Sequence, residues 1–183
     1  MPKTTTRKDH IARTALKLFA KHGYGSTSAR LIASTAKVSP GLLYAYFKNK
    51  EDLLNDIVTE GFDDIKRSMA VYEDKNLPPR KAIEMHVNAT YYIIRQKSEF
   101  WRLLHTIRLQ EKVLHASHKK LSAMVQYVTS VFTSVFKDLG YKDPALEAIL
   151  FLTQIDGLAV LYLQDPSIPL DKLSQQIIQR YTR

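Results

Sequence analysis

Two helix starts lie close together in residues 27–47, Thr-Ser-Ala-Arg-Leu-Ile-Ala-Ser-Thr-Ala-Lys-Val-Ser-Pro-Gly-Leu-Leu-Tyr-Ala-Tyr-Phe, and this crowding limits what the chain can become. Each start carries a hydroxyl residue whose oxygen can accept a bond from an orphan backbone N–H: Thr27 for the first helix and Ser39 for the second. Pro40 sharpens the second start, because a proline at the first helical position gives up an N–H that had no partner there. Only Ala36, Lys37 and Val38 separate the helices, so the axes must cross steeply, with Ala33 small enough for close approach. The spacing predicts a helix-turn-helix, whose second helix enters a DNA major groove. In that groove Ser39, Pro40, Gly41 and Leu42 would face base edges, Leu42 offering methyl groups to a thymine methyl.

Charge supports the same reading. The chain of 183 residues holds 27 Lys+Arg and 18 Asp+Glu, for a net charge of +9. Ten of the basic residues and only one acid, Asp9, precede residue 51, so the whole excess sits on the segment with the helix-turn-helix. Such a surface attracts phosphates and releases their counterions, giving salt-sensitive affinity for double-stranded DNA. A merely solubilising basic terminus is the competing explanation, which the motif beside it disfavours. With no cysteine, disulfides and thiolate metal sites are excluded. The polar, basic start without an apolar segment behind it predicts a cytoplasmic protein. The longest apolar run, Ala148 to Leu163, is broken by Thr153, Gln154, Asp156 and Gly157. It reads as a buried helix rather than a membrane span, and no membrane partner is expected.

Apolar periodicity predicts an all-α chain of about nine helices. A first helix over 5–21 buries Ile11, Ala12, Ala15, Leu16 and Phe19, and Gly23 ends it. The two helices of the motif cover 28–35 and 40–46, giving a three-helix head. Asn49 caps a long fourth helix reaching about Tyr72, roughly 35 Å at about 1.5 Å per residue, which links the head to a C-terminal bundle. Asp74, Asn76, Pro78 and Pro79 interrupt the pattern. Further helices are expected over 80–96, 98–110, 113–139, 144–163 and 170–181. Residues 1–50 are read as a DNA-binding domain and 51–183 as a ligand-binding and dimerisation domain.

The head resembles the TetR-like bacterial transcriptional regulators through Phe19, Gly23, Tyr24, Thr27, Ile32, Ala33, Ala36, Val38, Ser39, Gly41, Leu43, Tyr44, Tyr46, Phe47, Lys50, Glu51 and Leu53. The resemblance implies phosphate contacts from Thr27, Tyr44, Tyr46, Lys48 and Lys50, with Arg30 meeting a base or phosphate. Core packing is the alternative for Tyr44 and Tyr46. Lys37 stands where the family usually has glycine; a left-handed conformation there costs a non-glycine residue about 1 to 2 kcal/mol, which a phosphate contact by Lys37 would offset. A helix as apolar as 144–163 must be covered on two sides. The family implies a homodimer through the eighth and ninth helices, with Phe151, Leu152, Ile155, Ala159 and Tyr162 facing the partner. It also implies an effector pocket in the body for a small apolar or aromatic molecule, with Met85, Trp101, His105 and Tyr127 as lining candidates and ordinary core as the alternative.

The expected function is a repressor released from a palindromic operator by such an effector, no enzyme, needing no cofactor. Control by a protein partner is the alternative, and an enzyme or carrier that keeps a basic head a third reading. No Walker A loop, Gly-x-Ser-x-Gly elbow or His-Glu-x-x-His motif occurs. Glu111, His115 and His118 have a spacing able to hold a metal, but commonplace exposed histidines explain them as well, and no metal site is expected.

Overall fold

Thr6 opens the first helix. Its hydroxyl accepts from the Asp9 N–H while the Asp9 carboxylate accepts from the Thr6 N–H, a capping box that satisfies two orphan donors at once. The computed structural model describes residues 6–73, 77–108 and 118–183. Its helices are α1 (Arg7–His22), α2 (Ala29–Thr35), α3 (Pro40–Tyr46), α4 (Lys50–Met69), α5 (Pro79–Gln96), α6 (Ser98–Ile107), α7 (His118–Asp138), α8 (Pro144–Gln164) and α9 (Leu170–Thr182). A short 3₁₀ turn at Ala70–Glu73 follows α4, and no strand occurs among the described residues. The chain is all-α, as its periodicity predicts.

Some boundaries differ from expectation. The 3₁₀ turn replaces the last stretch expected of the fourth helix, so α4 is about 30 Å long. Helix α2 is capped by Ser28, not Thr27: the Ser28 hydroxyl accepts from the Leu31 N–H at 3.1 Å. The expected end of the sixth helix at Gln110 and start of the seventh at Val113 lie outside the described residues, as do Glu111 and His115 of the metal spacing.

The chain divides into two compact units. The first contains residues up to 63 together with 99–120. Here α1 packs on α2 and α2 on α3, burying Ile11, Ala15 and Phe19 with Ile32, Ala33, Leu43 and Phe47. The opening turns of α4 add Leu53, Leu54, Ile57 and Val58. Phe100 of α6 sits edge-on to Phe62 at 6.5 Å, its ring so close to Gly61 that a Cβ there would lie 2.1 Å from ring carbons. Only a glycine lets the two helices meet at that point.

The second unit contains residues 64–98 together with 121–183. Helix α5 packs along α9, and α8 against both. The core is aromatic: Phe151 lies 5.0 Å from Phe132, 5.6 Å from Phe136 and 5.1 Å from Tyr181, ring centre to ring centre. At such spacings each tilted pair adds about 1 kcal/mol beyond the area it buries. Gly140, with φ of 79°, lets α7 close on itself: its N–H donates to Lys137 O and that of Tyr141 to Phe136 O. Arg95 donates to Asp171 at 2.7 Å, tying the end of α5 to the start of α9.

The α8 packing shows where the residues expected at the dimer face lie within the chain. Phe151, Ile155 and Ala159 are buried in the chain's own core, and Leu152 and Tyr162 are half-buried. The cause is coverage by neighbours in the same unit: four rings crowd Phe151, and the Tyr91 hydroxyl donates to Ile155 O at 3.3 Å. The exposed apolar side carries Leu146, Ile149, Leu150 and Leu161, each about half exposed at 49–54%. At 21 residues α8 is also long and apolar enough to cross a membrane, contrary to the sequence reading, and 33% of its most apolar window is buried inside the protein.

Candidate nucleic-acid interface

Helix α3 begins as its sequence dictates. The Ser39 hydroxyl accepts from the Leu42 N–H at 3.1 Å, and Pro40 occupies the first turn. Leu43 and Phe47, one turn apart, are each 1% exposed and anchor the helix to the core. The remaining positions are turned outward: Ser39, Pro40, Gly41, Tyr44, Tyr46 and Lys48 are exposed and Leu42 is half-buried. Tyr44 is 54% and Tyr46 40% exposed, so neither is core. Two large aromatic side chains so far exposed on one short helix are an uncommon surface.

The turn before α3 is a Schellman motif. The Val38 N–H donates to Ala33 O at 3.0 Å and the Lys37 N–H to Ser34 O at 3.2 Å, which places Lys37 at φ 55°, the left-handed region. The strain that the glycine-to-lysine difference implies is therefore present. His10 of α1 braces the turn, its Nε2 3.1 Å from Ala36 O. Lys37 and Arg30 are both exposed beside α3 and α2.

Two expected phosphate contacts are turned inward instead. Thr27 is 0% exposed, and its hydroxyl donates to Gly23 O at 2.9 Å and toward Leu18 O at 3.4 Å. Its side chain joins the end of α1 to the start of α2 and cannot also face a phosphate. Lys50 Nζ donates to Tyr24 O at 2.9 Å and Thr27 O at 3.0 Å and lies 4.2 Å from the centre of the Tyr24 ring. Burial lowers its pKa below the ordinary lysine value. At the same junction Asn49 caps α4 by accepting from the Asp52 N–H at 2.8 Å, as expected, and Asp52 accepts from the Lys48 N–H at 3.0 Å. Lys8 of α1 pairs with Asp56 at 2.5 Å, its ammonium 5.3 Å from the Phe47 ring. These contacts fasten the first turns of α4 to the head, a feature that the sequence signals only as scattered charges.

The effector candidates occupy three helices. In the first unit Trp101 and His105 follow one another along α6 with ring centres 6.2 Å apart, and the buried Trp101 Nε1 has no hydrogen-bond partner among the described residues. In the second unit Met85 of α5 and Tyr127 of α7 are half-buried. Nearby on α5, His86 packs against Phe132 at 4.5 Å and against Tyr72 and Phe151 at about 6 Å. Burial pushes its pKa down to about 4, so the ring is neutral at ordinary pH. Among the described residues no group of three or more His, Cys, Asp and Glu side chains is arranged to hold a metal.

Comparison with known proteins agrees with this geometry. Residues 11–57 match the model of the bacterial regulatory proteins of the tetR family. The HTH-type transcriptional regulator YuxN of Bacillus subtilis is 29% identical over 158 residues, covering 84% of this chain and 53% of its own length. The chain thus spans about half of that relative. Among solved structures, a TetR-like transcriptional regulator from Rhodococcus sp. RHA1 superposes with a TM-score of 0.83 at 17% identity, covering 97% of this chain and 94% of its own. The regulator AibR, solved with isovaleryl coenzyme A and operator DNA, does so with a TM-score of 0.78 at 19% identity, over 94% and 96%. At such identities these structures share the fold.

Proposed function

From the match of residues 11–57 to the tetR family of bacterial regulatory proteins, we propose that the chain is a member of that family, a homodimeric repressor that leaves a palindromic operator when a small apolar effector binds its body. The observation that carries the DNA half is the outer surface of α3, where Tyr44, Tyr46 and Lys48 stand exposed on a helix pinned by Leu43 and Phe47. Tyrosine hydroxyls and the lysine ammonium grip phosphates, while Pro40, Gly41 and Leu42 approach base edges. Arg30 and Lys37 extend the positive surface along the same side of the motif.

One α3 of seven residues reads few base pairs, so a second copy is needed to define a site. The exposed side of α8, with Leu146, Ile149, Leu150 and Leu161, is the proposed dimer face, supplemented by Leu173 of α9. Covering four such half-exposed side chains contributes about 1 kcal/mol each per protomer. In this reading residues 1–50 bind DNA in the cytoplasm and residues 51–183 bind effector and partner copy. The paired rings of Trp101 and His105 on α6 support an apolar or aromatic effector. By linkage, an effector that releases DNA binds the DNA-free form more tightly.

Selecting bound duplexes from a random pool with the purified protein tests the proposal. Enrichment of a two-fold symmetric sequence is expected; recovery of unrelated duplexes would overturn it.

A further inference from the structure

A glycine inside a helix weakens it relative to alanine, and Gly157 lies well inside α8. The single chain makes no use of it. Its φ is not positive, and a Cβ built there meets no described atom within 4 Å, in contrast to Gly61, whose Cβ would strike the Phe100 ring. Gly157 is exposed on the same side of α8 as Leu146, Ile149, Leu150, Thr153 and Leu161, at spacings of three and four residues. None of these side chains is charged, so the side can meet a copy of itself across a two-fold axis without like-charge repulsion. Helix α9 lies alongside: Gln154 Nε2 donates to the Tyr181 hydroxyl at 2.6 Å, and Arg180 donates to Gln154 Oε1 at 3.2 Å. At about 1.5 Å per residue and about 10 Å across, the exposed sides of α8 and α9 offer roughly 450 Å² per protomer. Two copies together approach the area of about 1,000 Å² that specific association needs.

We infer that the α8 helices of two copies cross at Gly157, where the missing side chain lets the two backbones touch. Helix axes pack about 8 to 10 Å apart according to the side chains between them, and a glycine at the crossing allows the short end of that range. Thr153, one turn before it, is small enough not to hold the helices apart, while Leu150 and Leu161 close over the other copy on either side. The occupant is a second copy, because the side is uncharged and self-complementary and a recognition helix of seven residues needs a twin. This crossing rests on the dimer proposed above and supplies its point of closest approach.

Sedimentation equilibrium over a range of concentrations compares wild type with Gly157→Ala and Gly157→Leu, and urea unfolding compares Ile149→Glu with Ile149→Glu carrying Gly157→Ala. Alanine is expected to weaken dimerisation about tenfold and leucine to leave monomers, since a side chain at the crossing forces the helices apart. In the Ile149→Glu monomer the same alanine is expected to raise the urea midpoint, because a lone α8 gains helix propensity and strikes nothing. The chain has no cysteine, so Gly157→Cys carries a single thiol. With copper phenanthroline as oxidant it should form a disulfide-linked dimer at least about tenfold faster than Leu146→Cys, because the bond needs Cα atoms within about 7 Å. Dimerisation of Gly157→Ala and Gly157→Leu as tight as that of wild type, or faster cross-linking in Leu146→Cys, overturns the crossing and leaves the dimer standing. A urea midpoint lowered by alanine shows that the single chain itself needs the glycine, and overturns the crossing too. A wild type that stays monomeric throughout, or an Ile149→Glu chain that stays dimeric, overturns the dimer face itself and the crossing with it.

Discussion

At the scale of single residues, two side chains carry strain or charge that can be measured. Lys37 occupies a left-handed position, φ 55°, where the family that the head resembles usually has glycine. Lys37→Gly relieves the contact between Cβ and the backbone but frees the unfolded chain, so a net gain of about 1 kcal/mol is expected in urea unfolding. If Lys37, exposed beside α3, meets a phosphate as proposed, the same variant should lose DNA affinity while gaining stability, a trade that separates the two effects. His86, neutral among Tyr72, Phe132 and Phe151, has a pKa of about 4. The unfolded chain protonates this histidine near pH 6.5 and the folded one does not, so stability is intact above pH 6.5 and falls as the pH drops toward 4. The loss approaches about 3 kcal/mol if the ring stays enclosed. Unfolding midpoints of wild type and His86→Phe between pH 7 and 4 check this: the variant should lack that part of the slope.

Elements make the next level of prediction. Helices α4 and α6 meet where Gly61 receives the Phe100 ring, so Gly61→Ala forces the helices apart or the ring out of its rotamer, at a cost of about 1 to 3 kcal/mol. Phe100→Leu in the same chain should return part of that loss, a coupling that thermal unfolding of the double variant reads directly. For α8 the two apolar sides behave oppositely. Phe151→Ala, in the aromatic core, should cost about 3 to 5 kcal/mol. Ile149→Glu, on the exposed side, should leave the monomer fold intact and shift sedimentation from dimer to monomer. A variant that unfolded with no change in association would move the dimer face elsewhere. Hydropathy registers the two apolar faces of this helix equally, and packing against α5, α7 and α9 decides which one the chain covers by itself.

Across the molecule, features written in neighbouring residues were legible before any coordinates: the Ser39–Pro40 start, the Asn49 cap, the Gly23 stop, and the division of positive charge. Those set by distant partners were not. Thr27 and Ser28 are adjacent hydroxyl residues, and the choice of cap falls to Ser28 because Thr27 is drawn into the interior by the carbonyls of Gly23 and Leu18. Lys50 reads as one more cation near DNA, and nothing in the chain order announces that backbone carbonyls 23 and 26 residues away will claim it. The whole account depends on two α3 helices reaching successive major grooves on one face of a duplex. Footprinting the protein on the duplex it selects tests this most directly. Two symmetric protected major-groove segments about one helical turn apart, lost together in Tyr44→Ala, are predicted. A single protected segment, or protection that survives Tyr44→Ala unchanged, would contradict the account.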